Sequence, residues 1–120
     1  MTSLSTHVLD IERGAPAAGV PIALYRREQP SVLFGPVVFS WIAEAETNAD
    51  GRIADLASGS TLAAGTYRLV FEVAAYFARQ GRAAPFLERV SIDFQVNPAD
   101  PHYHVPLLLS PYACTSYRGG

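Results

Sequence analysis

Three histidines are the residues whose type and spacing could carry chemistry in this sequence. His7 lies near the N-terminus, and His102 and His104 are two residues apart, so on an extended strand their imidazoles share one face. A neutral imidazole accepts a proton near pH 7 and can act as a general base. The His102 and His104 pair could also bind a metal ion, but no second cluster of metal ligands accompanies it, and half-buried structural histidines are the alternative. The sequence therefore predicts no metal.

The C-terminal end is the second candidate for a site. Tyr117 and Arg118 are followed only by two glycines and come directly after an apolar segment, whereas chain ends are usually polar and frayed. This pattern predicts a tail that is docked on the protein. A guanidinium next to a phenol and a free carboxylate suits a small, planar, polar ligand. Cys114 is a poor candidate nucleophile, because no helix N-terminus precedes it to lower the pKa of its thiol.

The composition excludes several classes of partner. The 120 residues are 49% hydrophobic and 17% charged, below the roughly 25% charged residues of typical soluble domains. The length predicts one domain, residues 1–120, and the apolar excess predicts that a second subunit covers part of its surface. The net charge of -2 without a basic run argues against nucleic acid. No run of about 20 apolar residues predicts a membrane span, and without a signal segment we expect a cytoplasmic protein.

Alternation with period two dominates the sequence and predicts the elements that would position these side chains. Asp50 and Gly51 predict a tight turn over residues 47–52, residues 14–19 predict another turn, and residues 74–80 predict a short helix that ends at Gly81. Residues 26–41 fit either a hairpin or an ordered loop. Seven or eight short strands predict an all-β antiparallel sandwich. The clearest predicted strands are residues 4–9, 20–24, 65–73, 90–96, 102–109 and 113–118.

Six segments of the sequence resemble one protein family, in the same order and over nearly the whole chain. They are LSTHVLD with GAPAAGV, the TNADGR turn, GTYRLVFEV, HYHVPLLLSPY and the terminal YRG. These segments resemble the transthyretin-like 5-hydroxyisourate hydrolases. The resemblance implies a transthyretin-type sandwich of two four-stranded sheets with one short helix, assembled as a homotetramer that is a dimer of dimers. It also implies hydrolysis of 5-hydroxyisourate in urate degradation, without a metal or cofactor.

The same resemblance implies which residues form the active site. By position in the matching segments they are His7, Arg52, His104, Tyr117 and Arg118. In this interpretation His104 is the general base and His7 is its orienting partner. Arg52 and Arg118 hold the substrate ring and stabilise the oxyanion, and Tyr117 supplies a hydroxyl or ring edge for positioning.

Three departures from the family pattern leave other functions open. The chain ends in YRGG where the family usually has YRGS, Cys114 stands where an aromatic residue is usual, and residues 28–40 form a longer stretch. One alternative is therefore a transthyretin-like small-ligand binding protein, and another is a catalytically weakened paralogue. The apolar stretches 105–112 and 32–39 are predicted to lie outside the sandwich core, the first of them packing between dimers.

Overall fold

Two β-sheets and one short helix make up residues 2–28 and 35–120, the part of the chain that the computed structural model describes. The helix is α1 (Val73–Arg79), which follows the sixth strand. The strands in chain order are β1 (Ser3–Asp10), β2 (Ala15–Pro16), β3 (Pro21–Arg27), β4 (Phe39–Glu46), β5 (Arg52–Ile53), β6 (Gly65–Phe71), β7 (Val90–Val96), β8 (His102–Leu109) and β9 (Cys114–Ser116). The predicted all-β sandwich with one short helix is thereby confirmed.

The first sheet carries the histidines. Its strand order is β2-β1-β8-β9, and the two-residue strand β5 also pairs with β1. The second sheet has the order β4-β3-β6-β7. One pairing differs from the antiparallel pattern: β1 and β8 run parallel, from Ser3 opposite His102 to Asp10 opposite Leu109. This parallel register brings residues from the two ends of the chain side by side.

Alternating side chains fill the space between the sheets. In β1, Leu4, Thr6 and Val8 are buried while their neighbours are only half-buried, and β6 shows the same pattern. Because successive side chains of a strand point to opposite faces, one face of each strand forms the core. The core contributions of β6 and β8 are Tyr67, Leu69, Phe71, Tyr103, Val105, Leu107 and Leu109.

Two predictions about apolar stretches are affected. Val105, Leu107 and Leu109 are buried in the core, so the expectation that residues 105–112 lie outside it is wrong for the strand part of that stretch. Residues 29–34 lie outside the described part of the chain, so of the apolar stretch 32–39 only residues 35–39 are described. The predicted longer stretch 28–40 likewise lies partly outside the described residues. The described ends of the stretch pair as a hairpin, from Pro21 opposite Glu46 to Arg27 opposite Phe39.

The helix and the turns follow the local sequence closely. Helix α1 begins one residue before the predicted start and ends at Arg79, and Gly81 beyond it has a φ of 67°, a left-handed conformation that favours glycine. The segment predicted as a turn over residues 14–19 also contains β2, which pairs with β1. Among the described residues, no helix has the length and apolar character needed to cross a membrane.

A buried carboxylate joins β1 to the helix region. Asp10 is fully buried and accepts hydrogen bonds from the Tyr76 hydroxyl at 2.7 Å, from Arg82 at 2.5 Å and from the Arg13 amide at 3.1 Å. The Arg82 guanidinium also lies 4.8 Å from the centroid of the Phe77 ring. Burial by itself would raise the pKa of Asp10, but these hydrogen bonds outweigh it and hold the pKa below its ordinary value. Asp10 is therefore ionised and fully paired.

Candidate active site

The outward face of β1 and β8 gathers polar side chains. On β1, Ser5 and His7 alternate with buried residues and therefore point away from the core. On β8, His102 and His104 alternate with the buried Tyr103 in the same way. The parallel register sets Ser5 directly opposite His104. All three histidines of the chain consequently lie on one face of one sheet.

The tight turn brings Arg52 to the same face. Asn48 organises the turn, because its side-chain oxygen accepts hydrogen bonds at 2.9 Å from the amides of Asp50 and Arg52. Gly51 has a φ of 74°, and a Cβ at this position would lie 2.5 Å from the Val8 carbonyl oxygen, so only glycine allows the turn to approach β1 this closely. The Val8 amide donates to the Gly51 carbonyl at 2.8 Å. Arg52 is thereby paired opposite His7, and the predicted turn is confirmed.

A chain of hydrogen bonds connects the two histidines of β8 through serines of β1. The Ser5 hydroxyl lies 2.7 Å from Nδ1 of His104 and 2.8 Å from Nε2 of His102. The Ser3 hydroxyl lies 2.5 Å from Nδ1 of His102. Sequence reasoning did not assign Ser3, Ser5 or His102 to the site. The spacing of residues 3, 5 and 7 on one strand face was the available signal.

The electrostatics of this face favour a neutral His104. Burial lowers the pKa of the half-buried His104, and the nearby positive charge of Arg52 lowers it further, followed by smaller effects of His102 and His7. Within residues 2–28 and 35–120, Nε2 of His104 makes no hydrogen bond, and the side chains of His7 and Arg52 form neither hydrogen bonds nor ion pairs. The face therefore presents the imidazole of His104, with an Nε2 that makes no hydrogen bond, near an unpaired guanidinium.

The C-terminal tail packs against His104. The Gly119 amide donates to the His104 carbonyl at 2.7 Å, and the two residues form an antiparallel bridge. A Cβ at Gly119 would lie 2.5 Å from Cδ2 of the His104 ring. The prediction of a docked tail is thus confirmed. Sequence reasoning missed that Gly119 is needed for this close approach to the ring.

Arg118 lies on the other side of β8. Its guanidinium is 4.2 Å from the centroid of the Tyr103 ring, donates to the His102 carbonyl at 3.3 Å and is 3.6 Å from the Asp100 carboxylate. Tyr117 is 56% exposed. Both residues line a cavity of about 330 Å³ at the open edge between the sheets, together with Ile92, Phe94, Gln95, Tyr103, Val105 and Ser116. The structure therefore brings together His7, Arg52 and His104 but not the Arg118 guanidinium.

A metal ion at His102 and His104 would need further ligands nearby. Among the described residues, no group of three or more histidine, cysteine, aspartate or glutamate side chains could hold a metal ion. Both ring nitrogens of His102 are instead within hydrogen-bond distance of serine hydroxyls. Cys114 is an exposed free thiol on β9.

The comparison with known proteins identifies the family. Residues 4–119 match the HIUase/transthyretin family. The chain belongs to this family. The 5-hydroxyisourate hydrolase of Caulobacter vibrioides is 45% identical over 122 residues, which cover 99% of each chain. The family recognised from the motifs is thereby confirmed.

Solved structures of the HIUase/transthyretin family show the same transthyretin fold. The 5-hydroxyisourate hydrolase of Klebsiella pneumoniae matches over the whole of both chains with a TM-score of 0.82 and 41% identity. Sea bream transthyretin in complex with thyroxine also has a TM-score of 0.82, at 31% identity, covering 98% of this chain and 94% of its own. Backbone similarity is therefore the same for both members of the family. Their activities have to be distinguished by side chains.

Proposed function

We propose that this protein is a 5-hydroxyisourate hydrolase of purine catabolism. Relatives with this name match nearly the full length of the chain at 45% and 46% identity. The observation that carries the proposal is the presence, on one sheet face, of His104, whose Nε2 makes no hydrogen bond and whose pKa is lowered, near the unpaired guanidinium of Arg52, which lies opposite His7. Opening a cyclic amide with water requires a base for the water and a positive group for the oxyanion, and these two residues supply them.

The proposed reaction begins with proton removal from water. Nε2 of His104 accepts the proton while the water oxygen attacks the ring carbonyl carbon, and His7 orients the water and the base. Arg52 stabilises the negative charge that develops on the carbonyl oxygen. The carbon–nitrogen bond then breaks, the leaving nitrogen takes up a proton from solvent water, and 2-oxo-4-hydroxy-4-carboxy-5-ureidoimidazoline is formed. This chemistry uses no metal or cofactor.

The roles of the C-terminal residues extend the proposal. Arg118, stacked on Tyr103, holds the tail so that Gly119 lies against the His104 ring. The exposed Tyr117 is proposed to position substrate, as the family resemblance implies. Direct binding of substrate by Arg118 requires its guanidinium to leave the Tyr103 ring. In the proposed mechanism, Arg52 alone therefore stabilises the oxyanion.

We also propose that the protein assembles as a homotetramer, a dimer of dimers. Support comes from large apolar side chains that are 57% to 70% exposed, namely Trp41, Tyr112 and Phe86. Burying them between subunits would remove apolar surface from water. Analytical ultracentrifugation would measure the assembly directly, and a monomer at working concentrations would contradict this part of the proposal.

The decay of freshly generated 5-hydroxyisourate, followed by absorbance, tests the hydrolase proposal. Wild-type protein should accelerate the decay, and His104→Ala should reduce the rate about 10²- to 10⁴-fold, the usual contribution of general acid–base catalysis. Thermal unfolding of the variant checks that it is folded. If wild-type protein leaves the decay rate unchanged, the proposal is wrong. Tight binding of a small aromatic ligand without hydrolysis would support the carrier alternative, and a large gain in rate for Gly120→Ser would support the weakened paralogue.

A further inference from the structure

Ser5 lies between two imidazoles, and this position couples them. Its hydroxyl is 2.7 Å from Nδ1 of His104 and 2.8 Å from Nε2 of His102. A serine hydroxyl has one proton to donate and lone pairs to accept with. It can therefore donate to only one of the two imidazoles, and at least one of them must donate its own N–H to the serine oxygen. The arrangement in which both facing nitrogens are unprotonated is thereby excluded, which couples the tautomer of His104 to that of His102.

We propose that Ser5 and His102 are positioning residues that keep Nε2 of His104 unprotonated and relay its proton to solvent, an inference that rests on the proposed hydrolase function. In the required arrangement, Nδ1–H of His104 donates to the Ser5 hydroxyl, and this hydroxyl donates to Nε2 of His102. Nδ1–H of His102 then donates to the Ser3 hydroxyl, 2.5 Å away. In this arrangement each N–H of the two imidazoles and the Ser5 hydroxyl has an acceptor, and Nε2 of His104 is the one nitrogen of these two rings without a hydrogen bond.

During the relay Ser5 gains one proton and loses another, so it ends as a neutral hydroxyl. When Nε2 of His104 takes a proton from water, its Nδ1–H bond breaks and that proton passes to the Ser5 oxygen. The Ser5 hydroxyl proton passes at the same time to Nε2 of His102. His104 is again neutral, and His102 has become an imidazolium. His102 is exposed and can release its Nε2 proton to solvent. The starting state is restored when His104 exchanges its proton from Nε2 to Nδ1.

The surroundings of the two histidines favour this direction of transfer. His104 is half-buried and faces Arg52 from β5, His7 from β1 and His102 from β8, so a positive charge on its ring is unfavourable. His102 is exposed, and water can solvate the charge there. The chain of hydrogen bonds therefore leads from a site where the cation is costly to one where it is tolerated.

The sheet holds the relay in place. Ser3 and Ser5 pair in register with His102 and His104 along the parallel β1 and β8 strands. The serines alternate with Leu4 and Thr6, both buried, and a shift by one residue would expose those side chains. The hydroxyl of Thr6 also donates to the Val105 carbonyl at 2.7 Å. The serine hydroxyls are thus preorganised by the core, and no loop has to order them.

Steady-state kinetics of three serine variants test the proposal. Ser5→Ala should lower kcat about tenfold or more with little change in KM, because the base loses its orientation and not its substrate contacts. Ser5→Thr keeps a hydroxyl and should restore most of kcat. Ser91→Ala is the matched control, since Ser91 is an exposed strand serine on the other sheet. His102→Gln can accept from Ser5 but cannot carry a proton, and it should also lower kcat.

Two further measurements distinguish a relay from a structural effect. Rates in mixtures of water and heavy water should give a curved dependence for wild type, because several protons move together, and a linear one for Ser5→Ala. NMR of the histidine ring nitrogens should show His104 protonated at Nδ1 in wild type and a mixture of tautomers in Ser5→Ala. The NMR measurement needs no substrate, so it tests the coupling even if the hydrolase proposal fails.

Each outcome of these experiments either supports or overturns the proposal. A loss of kcat in Ser5→Ala and His102→Gln, rescue by Ser5→Thr and the tautomer change support the proposal. Wild-type kcat in either loss variant overturns it. An unchanged His104 tautomer in Ser5→Ala overturns it as well, with or without enzymatic activity.

Discussion

Two charged regions along β1 are organised in opposite ways. At the end of β1, the carboxylate of Asp10 is fully buried and bonded to Arg82 and Tyr76. On the outward face of the sheet, the imidazole of His7 on β1 and the guanidinium of Arg52 on the neighbouring β5 have no polar partner among the described residues. The first region satisfies its charge within the protein, and the second leaves its charge available.

The difference follows from burial. A buried carboxylate has lost its water and is stable only if protein groups replace that hydration. Arg52 is exposed, so water solvates it and no internal partner is required. A carboxylate beside Arg52 would neutralise the field that lowers the pKa of His104. Charge pairing therefore serves stability at Asp10, and its absence leaves Arg52 available for the role in binding and catalysis proposed for it.

The largest expected effect is the loss of activity on removing the unpaired charge. Arg52→Gln should lower the hydrolysis rate about 10²- to 10³-fold, because one oxyanion-stabilising group is lost. The free energy of unfolding should change by less than about 0.5 kcal/mol, as for other surface substitutions. Arg13→Gln is the matched control, since Arg13 is also an exposed arginine whose guanidinium has no partner among the described residues. Equal activity losses in both variants would remove the special role of Arg52.

Removing the cation that pairs with Asp10 should lower the stability of the protein and leave its activity unchanged. Arg82→Leu keeps apolar contact with the Phe77 ring but leaves the Asp10 carboxylate buried without its cation. The free energy of unfolding should fall by about 3 kcal/mol, measured by urea denaturation, while the rate per folded molecule stays unchanged. In Arg89→Leu the exposed Arg89–Glu72 pair is lost, and the free energy of unfolding should change much less, because water screens an exposed ion pair. Similar costs for both variants would contradict the contrast between the regions.

A methyl group added at Gly119 tests how closely the C-terminal tail packs against His104. Gly119→Ala would place a Cβ 2.5 Å from Cδ2 of His104, so the ring or the tail must move. The hydrolysis rate should fall about tenfold, because small misplacements of a catalytic group are costly. Gly120→Ala is the control, since a Cβ there has no atom within 4 Å. If the two variants have the same rate, the tail does not position His104.

The smallest expected effect is a shift in titration. The pKa of His104 lies below the ordinary value of 6.5, so the neutral base persists at mildly acidic pH. The hydrolysis rate should fall only as the pH drops through this lowered pKa. Replacing Arg52 by Gln removes a positive neighbour and should raise the pKa of His104, as measured by NMR titration of its ring. A decrease of the pKa in that variant would contradict the assignment.

Local features of the fold were predictable from the sequence. The alternation in β1 and β6, the Asp-Gly turn and the helix that ends before Gly81 all depend on neighbouring residues. Strand β4 was not resolved from the preceding stretch, because Phe39–Glu46 is half-buried or exposed along its length and shows no clear apolar face. The apolar residues of β8 were assigned to the wrong surface, since a run of leucines conceals alternation.

The candidate site was only partly predictable. His7, Arg52 and His104 were assigned through the family motifs, and the turn and the histidine spacing were visible in the sequence. The bonds of Ser5 to His104 and His102 join residues 99 and 97 positions apart and depend on a parallel pairing that no local pattern indicates. The contact of Gly119 with His104 and the position of Arg118 against Tyr103 depend instead on how the C-terminal tail packs along β8.

By itself, therefore, the sequence determined which face of each clear strand is apolar, where the helix ends and where the chain turns, because these depend on side-chain alternation and backbone preferences over a few residues. Only the tertiary structure decided the register of β1 against β8, and with it the partners of each histidine. Register is set by packing both sheets around one core, which involves the whole chain. The same packing separated the paired Asp10 from the unpaired Arg52.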